Sequence, residues 1–414
     1  MKIKRLKLTD SSVLYFLCIL TPIIQIINSA FLFDAGESSF GKVFRLLVVI
    51  ISFGVVLKTS RKQTKWISIL TVILLFVTTF HIMRGANIFE ALLNMMKFLS
   101  PYVLISAFVG VIEKRGVTVD YFDKILNFLT IFVPLSLIIP RILGLGYERY
   151  EGSGYQGLYF ENNALVLVLI IIFIFSLENL FVKRNIKNIL CVGLTTFSMI
   201  INGSKSSMAF FALVVVLYIF RYIFVQNPKQ FPLRITVILV VFVILSVGLY
   251  PVISPLIESR IAAYRYYYTG GVLVNGGTVI DFLTNGRTAF MRYYFQNYYG
   301  NDSLLNIVFG IQSLTDIRVE MDIIDIFLYF GIIVVIVLAV YFLKAAKALP
   351  RCSFMIKLMF ASIMVYSLLA GHVWNSSLAG LPFSLIIAIV MSENILKKNS
   401  INCINYAKYF RIRR

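Results

Sequence analysis

Apolar runs of membrane-spanning length, separated by short loops, recur along the whole chain. That pattern restricts the fold, because in hydrocarbon every backbone N–H and C=O must be paired within the protein. Twelve runs are read, at residues 12–33, 40–57, 66–82, 91–112, 125–143, 161–182, 189–202, 206–224, 235–254, 321–343, 354–373 and 378–395. Charged residues make up 14% of the 414, against about a quarter in a soluble domain. The expectation is an all-α integral membrane protein with about 12 transmembrane helices, residues 1–414 forming one polytopic domain. The basic stretch Met1–Lys7 leads into a run too long for a signal-peptide core and without a small-x-small cleavage site, so it reads as the first retained span.

A net charge of +20 first suggests nucleic acid, but its placement argues otherwise. Of the 39 Lys and Arg, 27 fall in the N-terminus, the tail and the loops on the same side, and 13 of the 19 acidic residues fall on the other. This is the positive-inside pattern, with both termini cytoplasmic and some contact with anionic lipid. Cys18, Cys191, Cys352 and Cys403 match no zinc spacing and suggest no disulfide framework. His81 and His372 are too isolated for a metal site, and no cofactor is expected.

One outer loop, residues 255–320 between spans nine and ten, is long. It carries eight Tyr, so functional order is expected rather than disorder. Arg260, Tyr264, Tyr267 and Tyr268 fall at helical spacing, as do Arg287, Met291, Tyr294 and Tyr298. Two amphipathic helices are read there, presenting arginines and rings that suit phosphates and sugar faces. Arg265 joins this set. Singly, such tyrosines equally suit an interfacial aromatic belt.

Other polar groups sit where apolar runs end. Lys205, in Asn202-Gly203-Ser204-Lys205-Ser206-Ser207, divides two runs too short to span comfortably. From Lys187 to Lys205 a helix rises roughly 27 Å, short of a hydrocarbon core of ~30 Å. Lys205 is therefore expected to be recessed, with Ser204, Ser206 and the N-terminus of the next helix forming a phosphate site; the plainer alternative is snorkelling to headgroups. His372, in Gly371-His372-Val373-Trp374-Asn375, is a candidate general base or a helix cap. Asp322 and Asp325 share one face at the start of span ten and suit the helix dipole, a base, a metal pair or an ion pair that holds an arginine. Glu161, Asn162 and Asn163 open span six, as caps or facing a cavity.

The layout, the late outer loop, Gly203-Ser204-Lys205-Ser206-Ser207, Asn285-Gly286-Arg287-Thr288, Asp322-x-x-Asp325 and Gly371-His372-Val373-Trp374-Asn375 together resemble the bacterial O-antigen and capsular repeat-unit polymerases (Wzy-like) and the related O-antigen ligases. The resemblance covers most of the chain. Lys205 stands where that family has an arginine, keeping the charge without the bidentate fork. It implies a GT-C-like fold in the bacterial cytoplasmic membrane and a metal-independent glycosyltransferase. Its partners would be undecaprenyl-diphosphate-linked glycan donor and acceptor, a flippase and a chain-length regulator, and not nucleic acid. In that scheme Lys205 and Arg287 balance the leaving diphosphate, Arg260 or Arg265 assist, and His372 takes the acceptor proton, with Asp322 as the other candidate. Tyr264 and Tyr294 position sugars. A ligase with the same donor is the nearest alternative. A lipid-linked oligosaccharide flippase or transporter is another class, marked by repeated halves and broken helices near the midplane.

Overall fold

The computed structural model describes residues 9–35, 40–150, 153–224, 287–298, 303–311, 319–399 and 408. The expected span at 235–254, and with it Arg260, Tyr264 and Arg265, lies outside the described residues. Elsewhere, every apolar run of the sequence folds as a helix. In chain order these are α1 (Asp10–Ala35), α2 (Phe40–Thr59), α3 (Arg61–Met83), α4 (Ile88–Arg115) and α5 (Val119–Ile142), a hairpin of β1 (Tyr147–Tyr150) and β2 (Ser153–Gly157), then α6 (Asn162–Val182), α7 (Ile186–Asn202) and α8 (Lys205–Phe224). After the undescribed stretch come α9 (Arg287–Tyr298), α10 (Ser303–Phe309), α11 (Asp322–Ala348), α12 (Phe354–Leu369), α13 (Ser377–Met391) and α14 (Glu393–Asn399).

Eight helices among the described residues are long and apolar enough to cross a membrane, and nine if the α13–α14 pair, bent by 78°, is one span. The helices α7 and α12 are shorter, at 17 and 16 residues. The structure thus gives a multi-pass, all-α membrane bundle.

The helices α4, α6 and α13 form its interior. From Ala164 to Phe175, α6 is apolar all round and wholly buried, the pattern of a helix surrounded by others. By contrast α2 and α3 turn Leu46, Leu47, Ile50, Val72 and Phe76 outward, the surface lipid would cover. Lipid tails are as apolar as leucine, so packing and interhelical hydrogen bonds rather than water exclusion hold such helices together. Pro101 lies inside α4 and cannot donate the helical hydrogen bond to the Lys97 carbonyl; its own carbonyl accepts from Ser384 Oγ of α13 at 3.1 Å.

Two ends follow from the contacts. At one, Arg115 pairs with Asp10, Ser60 with Glu113, Arg351 with Glu393, and Asn399 Nδ2 donates to the Val117 carbonyl. These segments are the ones the charge count put on one side. At the other end, Asn202 meets Asn162, Asn163 meets Ala370, and Arg45 meets Asn375.

The helix α11 is interrupted at Gly331 (φ 73°, ψ −178°). There α10 docks so closely that a Cβ on Gly331 would lie 2.1 Å from the Val308 carbonyl oxygen, and one on Gly310 2.3 Å from that of Tyr329. The Ile311 N–H donates to the Leu328 carbonyl at 2.6 Å, which returns one hydrogen bond lost at the break. His81, at the end of α3, is engaged here: its Nε2 meets the Phe309 carbonyl at 2.8 Å.

Candidate functional site

The backbone marks the site before any side chain does. Among the described residues, Glu320 (φ 60°) and His372 (φ 64°) are the non-glycine residues in the left-handed region, and they touch each other. Such conformations persist only where surrounding structure imposes them, and they gather at functional sites. Three constraints impose these two. Asp322, buried at the start of α11, accepts from the Val373 N–H at 3.0 Å and from Ser367 Oγ at 2.9 Å. Gly371 (φ 64°) lies flat on the Glu320 backbone, where a Cβ would come within 2.4 Å of the Glu320 carbonyl oxygen. Asn163, on the first turn of α6, donates to the Ala370 carbonyl at 3.0 Å.

Glu320 is the hub. Its Oε2 accepts from Arg287 at 2.9 Å and its Oε1 lies 3.4 Å from His372 Nε2. Arg287, the first residue of α9, is 8% exposed and also donates to the carbonyls of Leu369 (3.0 Å) and Ala370 (3.4 Å). The planar guanidinium suits this fork. Burial alone would lower the His372 imidazole, but the hydrogen bond and charge of Glu320, with the charges of Glu161 and Asp322, hold it above its ordinary value. A histidine so oriented keeps its neutral proton on Nε2, toward the carboxylate, and carries its basic lone pair on Nδ1.

His372 also lines a cleft of about 180 Å³. Around it stand Lys42 and Arg45 from the start of α2, Lys97 from within α4, Gln25 and Asn28 from α1, and Glu161. Arg45 is oriented by Ser377 Oγ (2.9 Å) and the Asn375 carbonyl (2.7 Å). Asn375 also borders a smaller cavity with Asn94, Asp325 and Tyr329.

The structure therefore brings together three of the residues singled out by sequence: Arg287, Asp322 and His372. The Lys205 hairpin reaches them at second hand. Asn202 donates to Asn162 Oδ1 (2.7 Å) and to the Tyr155 carbonyl (2.9 Å), and the neighbouring Asn163 meets Ala370. Within the hairpin the Ser204 N–H donates to Asn202 Oδ1, the Ser207 N–H to Ser204 Oγ and the Gly203 N–H to the Met199 carbonyl. Ser204 thus caps α8, and the Gly203, Ser204 and Ser207 amides are engaged internally rather than turned to a phosphate. Ser206 Oγ lies 3.5 Å from Ser204 Oγ, and Lys205 is half-buried. Tyr294 is 3% exposed and packs with Ile311, Val319 and Leu328, which fastens α9 in place rather than offering a ring to a ligand.

Sequence reasoning overlooked Lys42, Arg45 and Lys97, and gave Glu320 no role of its own. A signal was there: each cation interrupts an apolar run on the acidic side of the charge count. Glu320 carried none, because its conformation and both its partners come from distant segments. No known family profile matches the chain, and no curated protein matches it in sequence.

Proposed function

We propose that the chain is a bacterial glycosyltransferase that joins undecaprenyl-diphosphate-linked oligosaccharide repeat units into O-antigen, capsular or related polysaccharide. It would work from twelve spans of a GT-C-like bundle at the outer face of the cytoplasmic membrane, its basic end and both termini inside. The observation that carries the reading is the His372–Glu320 pair beside a cation-lined cleft, at the end of the bundle away from the basic loops. An oriented, carboxylate-backed imidazole next to positive charge is what transfer from a lipid diphosphate requires.

The acceptor hydroxyl oxygen attacks the donor's anomeric carbon. The new C–O bond forms as the bond to the diphosphate breaks, and undecaprenyl diphosphate leaves. His372 takes the hydroxyl proton. Arg287 and Asp322 are positioning residues in this scheme, Arg287 fixing Glu320 and Asp322 fixing the 370–373 loop. Lys205 and the loop residues Arg260 and Arg265 balance the leaving charge, and Tyr264 contacts sugar.

The test is a glycan ladder in a deletion host complemented with expression-matched variants. Wild type restores the ladder. His372→Ala leaves single repeat units on the acceptor, with turnover down by roughly 10²–10⁴, the usual worth of a general base. Single units vanishing as well would point to the ligase. A full ladder from His372→Ala would sink the reading. The break in α11 at Gly331 favours a transporter as the second reading, since transporters use interrupted helices; retention of lipid-linked units at the inner leaflet in the deletion host would establish it.

A further inference from the structure

Lys97 is placed where an ammonium is costly. It lies nine residues into α4, which starts at Ile88, roughly 13 Å along the helix axis. An ionisable residue inside a span is by default a functional group. Lys97 is half-buried and, among the described residues, shares its cleft with the cations Lys42 and Arg45, with His372 and with the carboxylate Glu161. The cleft, about 180 Å³, has room for several waters of about 30 Å³ each, and so for a phosphate group.

We infer that this cleft is a phosphate site that takes the headgroup of a membrane lipid. Lys42 and Lys97 supply point charges from two helices. Arg45 supplies a guanidinium oriented by Ser377 and Asn375. Glu161 Oε2 is buried and accepts from no group among the described residues; a sugar hydroxyl next to the phosphate is the donor it lacks. The inference deepens the proposed function and rests on it for the ligand's identity: donor and acceptor each carry a lipid diphosphate, the donor's leaving at the base and the acceptor's lying a repeat unit away from its attacking hydroxyl. The Lys205 hairpin would hold one and this cleft the other. The same phosphate chemistry is offered by ordinary anionic phospholipid.

The experiment is equilibrium binding of radiolabelled farnesyl diphosphate to the full-length protein in dodecylmaltoside. Wild type binds. Lys97→Gln and the pair Lys42→Gln/Arg45→Gln each weaken one of two classes of binding roughly ten- to a hundredfold, the loss of one or two charged hydrogen bonds, and leave the class that Lys205→Gln weakens. Lys42 is exposed, so Lys42→Gln alone leaves the fold intact and weakens binding in the same direction. Resistance to competing dihexanoyl-phosphatidylglycerol assigns the site to a diphosphate lipid, and displacement assigns it to phospholipid; either supports a phosphate site. Unchanged binding in Lys97→Gln and Lys42→Gln overturns it. The polymerase reading fails separately, by an intact ladder from His372→Ala, whatever the binding shows.

Discussion

Glu320 and His372 hold each other in a backbone conformation that costs on the order of 1–2 kcal/mol per residue, and the ion pair, Asp322 and Gly371 offset it. Three outcomes follow at this scale. Because Glu320, Glu161 and Asp322 raise His372 above 6.5, it is protonated at lower pH and must lose that proton to act as a base. Turnover should rise with pH through a value above 6.5, and in Glu320→Gln that limb should move to lower pH, since burial then works with less opposition. The stability effect has the opposite slope. A raised imidazole stabilises the fold fully below its unfolded value of about 6.5, and the contribution disappears as pH climbs through the raised one. His372→Gln should flatten that dependence in thermal unfolding. In Gly371→Ala, a methyl 2.4 Å from the Glu320 carbonyl oxygen, at φ 64°, should cost at least ~1–2 kcal/mol and lower the unfolding temperature more than Gly54→Ala in the body of α2, where a Cβ meets nothing within 4 Å.

At the scale of elements, the α7–α8 hairpin owes its position to Asn202. Its amide joins β2 and the start of α6 in one step, with the left-handed Gly203 (φ 58°) turning the chain after it. Asn202→Ala leaves Asn162 Oδ1 and the Tyr155 carbonyl without that donor and should cost about 1–3 kcal/mol, read as lost thermal stability in detergent. The α10–α11 contact is tighter still. Gly331→Val should separate them, since Cβ alone would meet the Val308 carbonyl at 2.1 Å; accessibility of a cysteine at Phe309, which here packs against Phe80 and Phe76, would report the opening.

At the scale of the whole molecule, charge and contacts divide the bundle alike. Basic loops meet at one end, and His372, the cleft and the β-hairpin gather at the other. In the proposed orientation a cysteine replacing Leu145 should label in intact cells, and one replacing Ile186 only after permeabilisation. Both positions are exposed, and the native Cys18, Cys191 and Cys352 are buried. Labelling of both positions from one side would refute the topology.

Among the described residues, the sequence by itself determined the helices of the apolar runs, their approximate limits and which loops lie together, because hydrophobic length and charge placement are local quantities. It also pointed to His372 and Asp322, since polar groups at the ends of apolar runs are conspicuous, and to Arg287, which falls at helical spacing with Met291, Tyr294 and Tyr298 in the long loop. It misjudged how the Ser204 and Ser207 amides are used and left Lys42, Arg45 and Lys97 as topology counters. Only the tertiary structure decided that Glu320 joins Arg287 to His372, and that α1, α2, α4 and the 370–376 loop enclose one cleft. Those facts depend on segments far apart in the chain being brought within hydrogen-bonding distance, and no local pattern encodes that distance.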